Sequence, residues 1–135
     1  VLYMVYRPSR NVRNDNPLNI RFSESNQWEG QTGHDGSFAR FESAAYGFRA
    51  AYKLLMTYRD NYHLTSINDI VSRWAPEHEN DSDAYASYLA DKLNKWRFTP
   101  VFESEYPALL FYMAEFEGAK GAFSMSQVYE GIALA

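Results

Sequence analysis

The chain has 135 residues, of which 46% are hydrophobic and 17% aromatic, so it is long enough to bury the core of one domain. Its formal net charge of -4 and its scattered basic residues exclude the electrostatic pattern of a nucleic-acid binder. It contains no cysteine, which excludes disulfides and thiolate chemistry.

The chain begins with VLYMVY, six apolar or aromatic residues that are followed at once by an arginine and a proline. A helix that crosses a bilayer needs roughly 20 apolar residues, so neither a transmembrane segment nor a signal peptide is expected here. The sequence therefore predicts no membrane insertion.

Residues 1–42 are predicted to form a small, irregular β lobe. Asn, Gly, Ser and Pro punctuate residues 7–41 and leave two short apolar stretches, at residues 18–22 and 38–41. Short apolar stretches between turn-forming residues are typical of short strands.

Residues 43–135 are predicted to be helical, because apolar residues recur there every three or four positions. Five helices are expected, over residues 43–60, 66–75, 82–93, 104–117 and 125–134. Residue types that cap helices stand at the expected ends: Thr65, Ser66, Ser82, the pair Ser124 and Gln127, and Gly118 as a C′ residue. The predicted fold class is α+β, in a single domain.

Glu117 is the candidate catalytic residue. Its neighbours three, four and seven positions back in the helix are Ala114, Met113 and Leu110, which puts its side chain on or beside the buried stripe. Burial and the partial negative charge of the helix C-terminus both raise the pKa of a carboxyl group. A protonated carboxyl group at a cleft can donate its proton to a glycosidic oxygen near neutral pH. The alternative is that the Glu117 side chain simply reaches solvent from the last helical turn.

Three motifs in the N-terminal part of the chain, NVRNDNPLNIRF, WEGQTG and FARFES, resemble the glycan-cleft wall of two related groups of proteins. These are the autolysin-type endo-β-N-acetylglucosaminidases of bacterial cell walls and, more closely, small phage and prophage lysozyme-like proteins. GFRAAYKLLMTY is similar to the helix that follows this wall, and SRWAP with ENDSDAYASYLADKL is similar to the loop and helix that close the cleft. The resemblance implies a lysozyme-like fold that is mostly helical.

The resemblance also implies a changed order of segments. In the autolysin-type enzymes the catalytic glutamate ends a helix that lies upstream of the Asn-rich turn. The first ten residues of this chain contain no glutamate, whereas a similar helix end is found at Ala114, Glu117, Gly118 and Gly121. A circularly permuted lysozyme-like domain is therefore expected, with Glu117 as general acid. Permutation leaves a cleft intact where the termini lie close together.

Substrate-binding residues are implied on the cleft wall as well. The polar side chains expected to hydrogen-bond the glycan are Asn16, Asn19 and Arg21. The aromatic side chains expected on the cleft are Trp28, Trp74 and Tyr85, whereas Trp96 is expected to pack at a helix end. Each asparagine has an alternative structural role, because Asn often bonds the backbone of its own turn.

A second carboxylate would decide between a direct nucleophile and an activated water. Six acidic residues in loops could supply it: Glu24, Glu29, Asp35, Glu79, Asp81 and Asp83. A mechanism with a single glutamate, as in lytic transglycosylases, is the alternative. Neither an HExxH motif nor a GxSxG turn is present, so no metal and no cofactor are expected.

The expected function is degradation of peptidoglycan, with bacterial glycan strands as the substrate. The alternatives are a non-catalytic virion or wall-binding protein with the same fold, and a peptidoglycan endopeptidase. An enzyme that degrades peptidoglycan acts in the periplasm or cell wall. Without a signal peptide it would need a virion or a secretion system for delivery. That apparatus, or an immunity protein, is the expected protein partner.

Overall fold

Helices dominate the structure, a computed structural model that describes residues 8–76 and 81–135. In chain order its elements are α1 (Arg10–Arg13), β1 (Gln31–His34), β2 (Ala39–Phe41), α2 (Ala44–Tyr62), α3 (Ile67–Trp74), α4 (Ser82–Leu93), a 3₁₀ turn (Glu103–Glu105), α5 (Tyr106–Glu117) and α6 (Met125–Leu134). The predicted α+β class is confirmed. Over the described ranges, none of the helices combines the length and the apolar character needed to cross a membrane.

The β lobe differs from its prediction. Strands β1 and β2 pair antiparallel, and β1 was missed because its sequence, QTGH, lacks the apolar alternation of a strand. The apolar stretch at 18–22 pairs with this hairpin through an isolated bridge between Arg21 and Phe38 and forms no longer strand. Two features prevent a longer strand. Asn19 has a left-handed backbone, with φ of 52°, and the Asn16 side chain forms hydrogen bonds with backbone groups that a ladder would use.

The helices begin at their capping residues. The side chains of Ser43, Ser66 and Ser124 each accept a hydrogen bond from the backbone N–H three residues later, at the starts of α2, α3 and α6. The predicted capping box opens α6. Helix α4 is capped one residue earlier than predicted, because the carboxylate of Asp81, and not the hydroxyl of Ser82, accepts the capping bond.

Helix α5 ends without the left-handed residue that is typical of a C′ glycine. Gly118 has φ of −145° and ψ of −118°, and a Cβ atom on it would collide with the buried side chain of Asn11. Asn11 in turn donates a hydrogen bond of 3.2 Å to the carbonyl of Ala114, one of the groups that lack a partner at a helix end. The glycine is therefore required by the close approach of the N-terminal segment, and not by a positive φ.

The core lies where α2, α5 and α6 pack together. Leu109, Leu110 and Met113 of α5 are fully buried, as is Phe48 of α2. Helix α6 approaches α2 closely at Gly131, where a Cβ atom would collide with the backbone of α2. This packing places the last turn of α5, which carries the candidate acid, against the N-terminal part of the chain.

The loop after α4 leaves aromatic side chains exposed. Trp96 was expected to pack at a helix end, but 71% of it is exposed, and its ring contacts that of Phe98 with centroids 5.1 Å apart. The prediction was wrong because α4 ends at Asn94, which has a left-handed backbone, and Trp96 lies in the loop after it with its side chain in solvent.

Candidate active site

A cleft of about 500 Å³ opens between the β lobe and the helices. One wall consists of residues 18–21 with Ser23, Asn26, Trp28 and Phe38, and the other of Leu54 and Tyr58 of α2, Trp74 of α3, and Phe116 and Glu117 of α5. The cleft thus joins the turn after α1 to the end of α5, two segments that are far apart in the sequence.

Glu117 accepts a hydrogen bond at each of its carboxyl oxygens. The Tyr85 hydroxyl donates to Oε2 at 2.9 Å, and the Asn19 side-chain amide donates to Oε1 at 3.1 Å. One donor comes from α4 and the other from the N-terminal turn. Three segments therefore fix the orientation of this carboxyl group at the edge of the cleft.

The pKa of Glu117 is raised above its ordinary value, chiefly by burial, and the hydrogen bonds from Asn19 and Tyr85 counteract this rise only in part. A raised pKa extends the protonated form of the acid to higher pH, which a proton donor requires. Burial, together with the neighbouring Glu117, also raises the pKa of Tyr85 well above 10. Tyr85 therefore remains a neutral hydrogen-bond donor around neutral pH.

Asn19 orients Glu117 through an unusual backbone conformation. Its φ of 52° lies in the left-handed region, which asparagine adopts more readily than most residues. Its side-chain amide also donates to the main-chain carbonyl of Glu117 at 3.3 Å, whereas its Oδ1 is buried and has no hydrogen-bond partner among the described residues. Asn19 was predicted to bind glycan, but its N–H groups are already bonded to the end of α5.

Asn19 lines the cleft, but two of the residues predicted to bind the substrate, Asn16 and Tyr85, do not. Asn16 is fully buried, and its amide donates to the carbonyls of Ile20 at 2.9 Å and Ala39 at 2.8 Å, so it ties the turn to β2. Tyr85 is only 1% exposed, and its ring stacks on that of Phe116 with centroids 4.1 Å apart. Asn16 therefore serves the fold, and Tyr85 serves to position the carboxyl group.

Arg21, Trp28 and Trp74 do line the cleft. The indole N–H of Trp74 donates to the carbonyl of Leu18 at 3.3 Å, and its ring meets that of Tyr58 edge to face at 5.9 Å. Tyr58 itself was missed as a cleft residue, because its helical spacing is the same as that of a core residue.

The candidates for a second carboxylate are engaged elsewhere or lie outside the described residues. Four of them form ion pairs or a helix cap: Glu29 with Arg49, Asp35 with Arg10, Asp83 with Arg97, and Asp81 at the start of α4. Glu24 is exposed outside the cleft, and Glu79 is not among the described residues. Among the residues of the cleft wall that the structure describes, Glu117 is the one carboxylate.

Side chains that could ligate a metal are dispersed over the described residues. Within residues 8–76 and 81–135, no three His, Asp or Glu side chains lie close enough together to hold a metal ion. The polar groups that line the described cleft are the carboxyl group of Glu117, the amides of Asn19 and Asn26, the hydroxyl of Ser23 and the guanidinium of Arg21, beside the aromatic rings.

Glu115 offers an internal comparison for Glu117. Its Oε2 accepts a hydrogen bond of 3.1 Å from the hydroxyl of Tyr88, and its Oε1 accepts one of 3.3 Å from the backbone of Gly121. Burial and this carboxylate raise the pKa of Tyr88 to about 12. The two glutamates thus have similar tyrosine partners on α4, but only Glu117 lines the cleft.

Comparison with known proteins shows a similarity to a phage protein. No protein-family model matches the chain. Protein P5 of Pseudoalteromonas phage PM2 is 35% identical to it over 127 residues, which cover 91% of this chain and 79% of the phage protein. The similarity therefore extends over both the β lobe and the helices, and the name of the relative states no activity.

Proposed function

This chain belongs to the family of Protein P5 of Pseudoalteromonas phage PM2, and we propose that it is a phage-type lytic enzyme that cleaves the glycan strand of peptidoglycan. In this proposal the fold is lysozyme-like with a circularly permuted order of segments, and Glu117 is the general acid. The protein acts at the bacterial cell wall after delivery by a virion.

The environment of Glu117 is the observation that carries the proposal. A carboxyl group with a raised pKa lies at a cleft of about 500 Å³ whose walls include two tryptophans, a tyrosine and an arginine. Aromatic rings present flat apolar faces suited to sugar rings, and a few polar groups orient a ligand in such a cleft. A general acid beside an aromatic cleft is what protonation of a glycosidic oxygen requires.

The proposed reaction begins when Glu117 transfers its proton to the glycosidic oxygen. The bond between that oxygen and the anomeric carbon breaks, the leaving sugar departs as an alcohol, and positive charge develops at the anomeric carbon. The hydrogen bonds from Tyr85 and Asn19 stabilise the carboxylate that forms, without any reorganisation. A water molecule or a hydroxyl of the same sugar then attacks the anomeric carbon, and its proton returns to Glu117. The first route is hydrolysis and the second gives an anhydro sugar.

Purified sacculi provide the test. Glu117→Gln keeps the size of the side chain but removes its acidic proton, so we expect cleavage to slow by at least about 100-fold. Glu115→Gln makes the same chemical change beside the site and should keep a rate close to that of the parent. New reducing ends or anhydro products in the digest identify the route. If Glu117→Gln clears sacculi as fast as the parent, Glu117 is not the general acid.

A non-catalytic wall-binding protein of the virion is the second candidate. Both oxygens of Glu117 accept hydrogen bonds from the protein, an arrangement that also suits a buried carboxylate with a purely structural role. This candidate predicts that the protein sediments with sacculi without producing new reducing ends or anhydro sugars. The same digests therefore separate the two functions.

A further inference from the structure

A second pocket, outside the cleft, is rich in arginine. It has a volume of about 420 Å³ and is lined by Arg10, Arg13, Asn14, Asp35 and Arg40. Three guanidinium groups and one carboxylate give it a formal charge of +2, although the chain as a whole carries -4. Such a local excess of positive charge attracts anions.

Asp35 holds one of the arginines rigidly and is fully engaged in doing so. It accepts hydrogen bonds from the Nε and Nη2 of Arg10, at 2.6 and 2.9 Å, from the Asn14 amide at 2.9 Å, and from the backbone N–H groups of Ser37 and Phe38. These donors, and above all Arg10, hold its pKa well below the usual range. Asp35 therefore remains an anion and fixes the guanidinium of Arg10 at the pocket.

Among the residues that the structure describes, the other two arginines are each anchored at one nitrogen. Nη1 of Arg13 donates to the carbonyl of Pro8 at 2.6 Å, and Nε of Arg40 donates to the side chain of Asn14 at 3.2 Å. A guanidinium has five N–H donors in a planar fork, so these anchors orient the two groups and leave donors for a ligand. The fork matches the two oxygens of a carboxylate.

The arginine pocket adjoins the cleft through a single aromatic ring. The guanidinium carbon of Arg10 lies 4.4 Å from the centroid of the Phe38 ring, and that of Arg21 lies 5.4 Å from the same centroid. Phe38 and Arg21 both line the cleft. A branch from a ligand in the cleft would therefore have to pass the Phe38 ring to reach Arg10 and the arginine pocket.

We propose that the arginine pocket binds a carboxylate of the stem peptide attached to the glycan strand. This inference rests on the proposed function, because it takes a peptidoglycan strand as the ligand of the cleft. An uncharged sugar gains little from a pocket with two excess positive charges, whereas a free carboxylate of a stem peptide is attracted to it. Three or four peptide residues reach about 10–14 Å when extended, which suffices to pass one ring.

Two substrates separate this role from catalysis: intact sacculi, and glycan strands from which an amidase has removed the stem peptides. We expect Arg13→Ala/Arg40→Ala to lose about tenfold in kcat/KM on sacculi and nothing on peptide-free strands. Lys92→Ala/Lys120→Ala removes the same charge at exposed positions elsewhere and should change neither rate. An equal loss on both substrates, or no loss on sacculi, overturns the proposal.

Direct binding decides the proposal without catalysis. A free stem tripeptide, titrated by calorimetry, is expected to bind the parent and to bind Arg13→Ala/Arg40→Ala about tenfold more weakly. Inorganic phosphate is the competitor, and if it displaces the peptide at equal concentration the pocket is a general oxyanion site and the proposal fails. If the parent cleaves neither substrate, the proposed function fails, while the titration still shows whether the pocket takes the peptide.

Discussion

Replacing Tyr85 by phenylalanine removes one hydroxyl group next to the proposed general acid. That hydroxyl donates to Oε2 of Glu117 at 2.9 Å. The ring is only 1% exposed and stacks on Phe116 at 4.1 Å, and phenylalanine keeps its shape. The substitution therefore changes the free energy of the Glu117 anion with little change in packing.

The direction of the effect follows from the form of Glu117 that the hydroxyl favours. The hydrogen bond from Tyr85 lowers the pKa of Glu117, because it is stronger to the carboxylate than to the neutral acid. A hydrogen bond to a charged group contributes about 1.5–3 kcal/mol and one between neutral groups about 0.5–1.5 kcal/mol. These ranges differ by about 1–1.5 kcal/mol, which corresponds to roughly one pH unit. Tyr85→Phe should therefore raise the pKa of Glu117 by about that amount.

The rate of sacculus cleavage as a function of pH measures this change. A general acid works in its protonated form, so the rate falls as the pH rises through its pKa. We expect the alkaline limb of Tyr85→Phe to lie about one pH unit above that of the parent. Tyr88→Phe is the control, because it removes the hydroxyl that bonds Glu115 at 3.1 Å and should leave the limb in place. An unshifted limb in Tyr85→Phe, or an equal shift in both variants, would refute the reasoning.

Two further predictions concern stability. Gly118→Ala places a Cβ atom against the buried Asn11 side chain and should lower the free energy of unfolding, measured in urea, by about 1–3 kcal/mol. Gly33→Ala is the control, because a Cβ atom there meets nothing within 4 Å, and it should change the free energy of unfolding by less than about 1 kcal/mol. Equal effects of the two substitutions would contradict the assigned contact. In the folded protein the pKa of Glu117 is raised above its ordinary value of 4.5, so folding disfavours the carboxylate. The parent therefore loses stability as the pH rises above 4.5 and through the folded pKa. The melting temperature of Glu117→Gln should therefore exceed that of the parent by about 2–4 °C at alkaline pH and should not exceed it below pH 4.5. Thermal melts over a series of pH values measure this difference.

The helices could be predicted because their causes are local. Ser124 and Ser66 cap α6 and α3 as their residue types indicated, since a capping bond joins groups only three residues apart. The surroundings of Glu117 also followed from helical spacing, because Met113 and Ala114, four and three positions earlier, are fully buried. Within a helix, the pattern of side chains fixes which of them share a face.

The partners of Glu117 could not be predicted, because they come from distant segments. Asn19 lies 98 residues from Glu117 in the sequence, and Tyr85 lies 32 residues from it. A tyrosine on the apolar face of a helix has the same sequence pattern whether it faces a sugar or a buried carboxyl group. The packing of α4 on α5 decides between the two, and no local pattern encodes it. The prediction that Asn16 binds the substrate was wrong for a related reason. The sequence around an asparagine in a turn does not show that its side chain will bond to a strand elsewhere in the chain, as Asn16 does at Ala39.

The way in which helix α5 ends bears on the proposed circular permutation. A helix usually satisfies its last carbonyl groups with the residues that follow it. Here two asparagines from the N-terminal segment do so, because Asn11 donates to the carbonyl of Ala114 at 3.2 Å and Asn19 donates to that of Glu117 at 3.3 Å. Such caps act through space, so they hold the acid at the cleft whichever segment comes first in the chain. A permuted order would therefore preserve the geometry of the site, provided that the segment carrying the two asparagines still packs against the end of this helix.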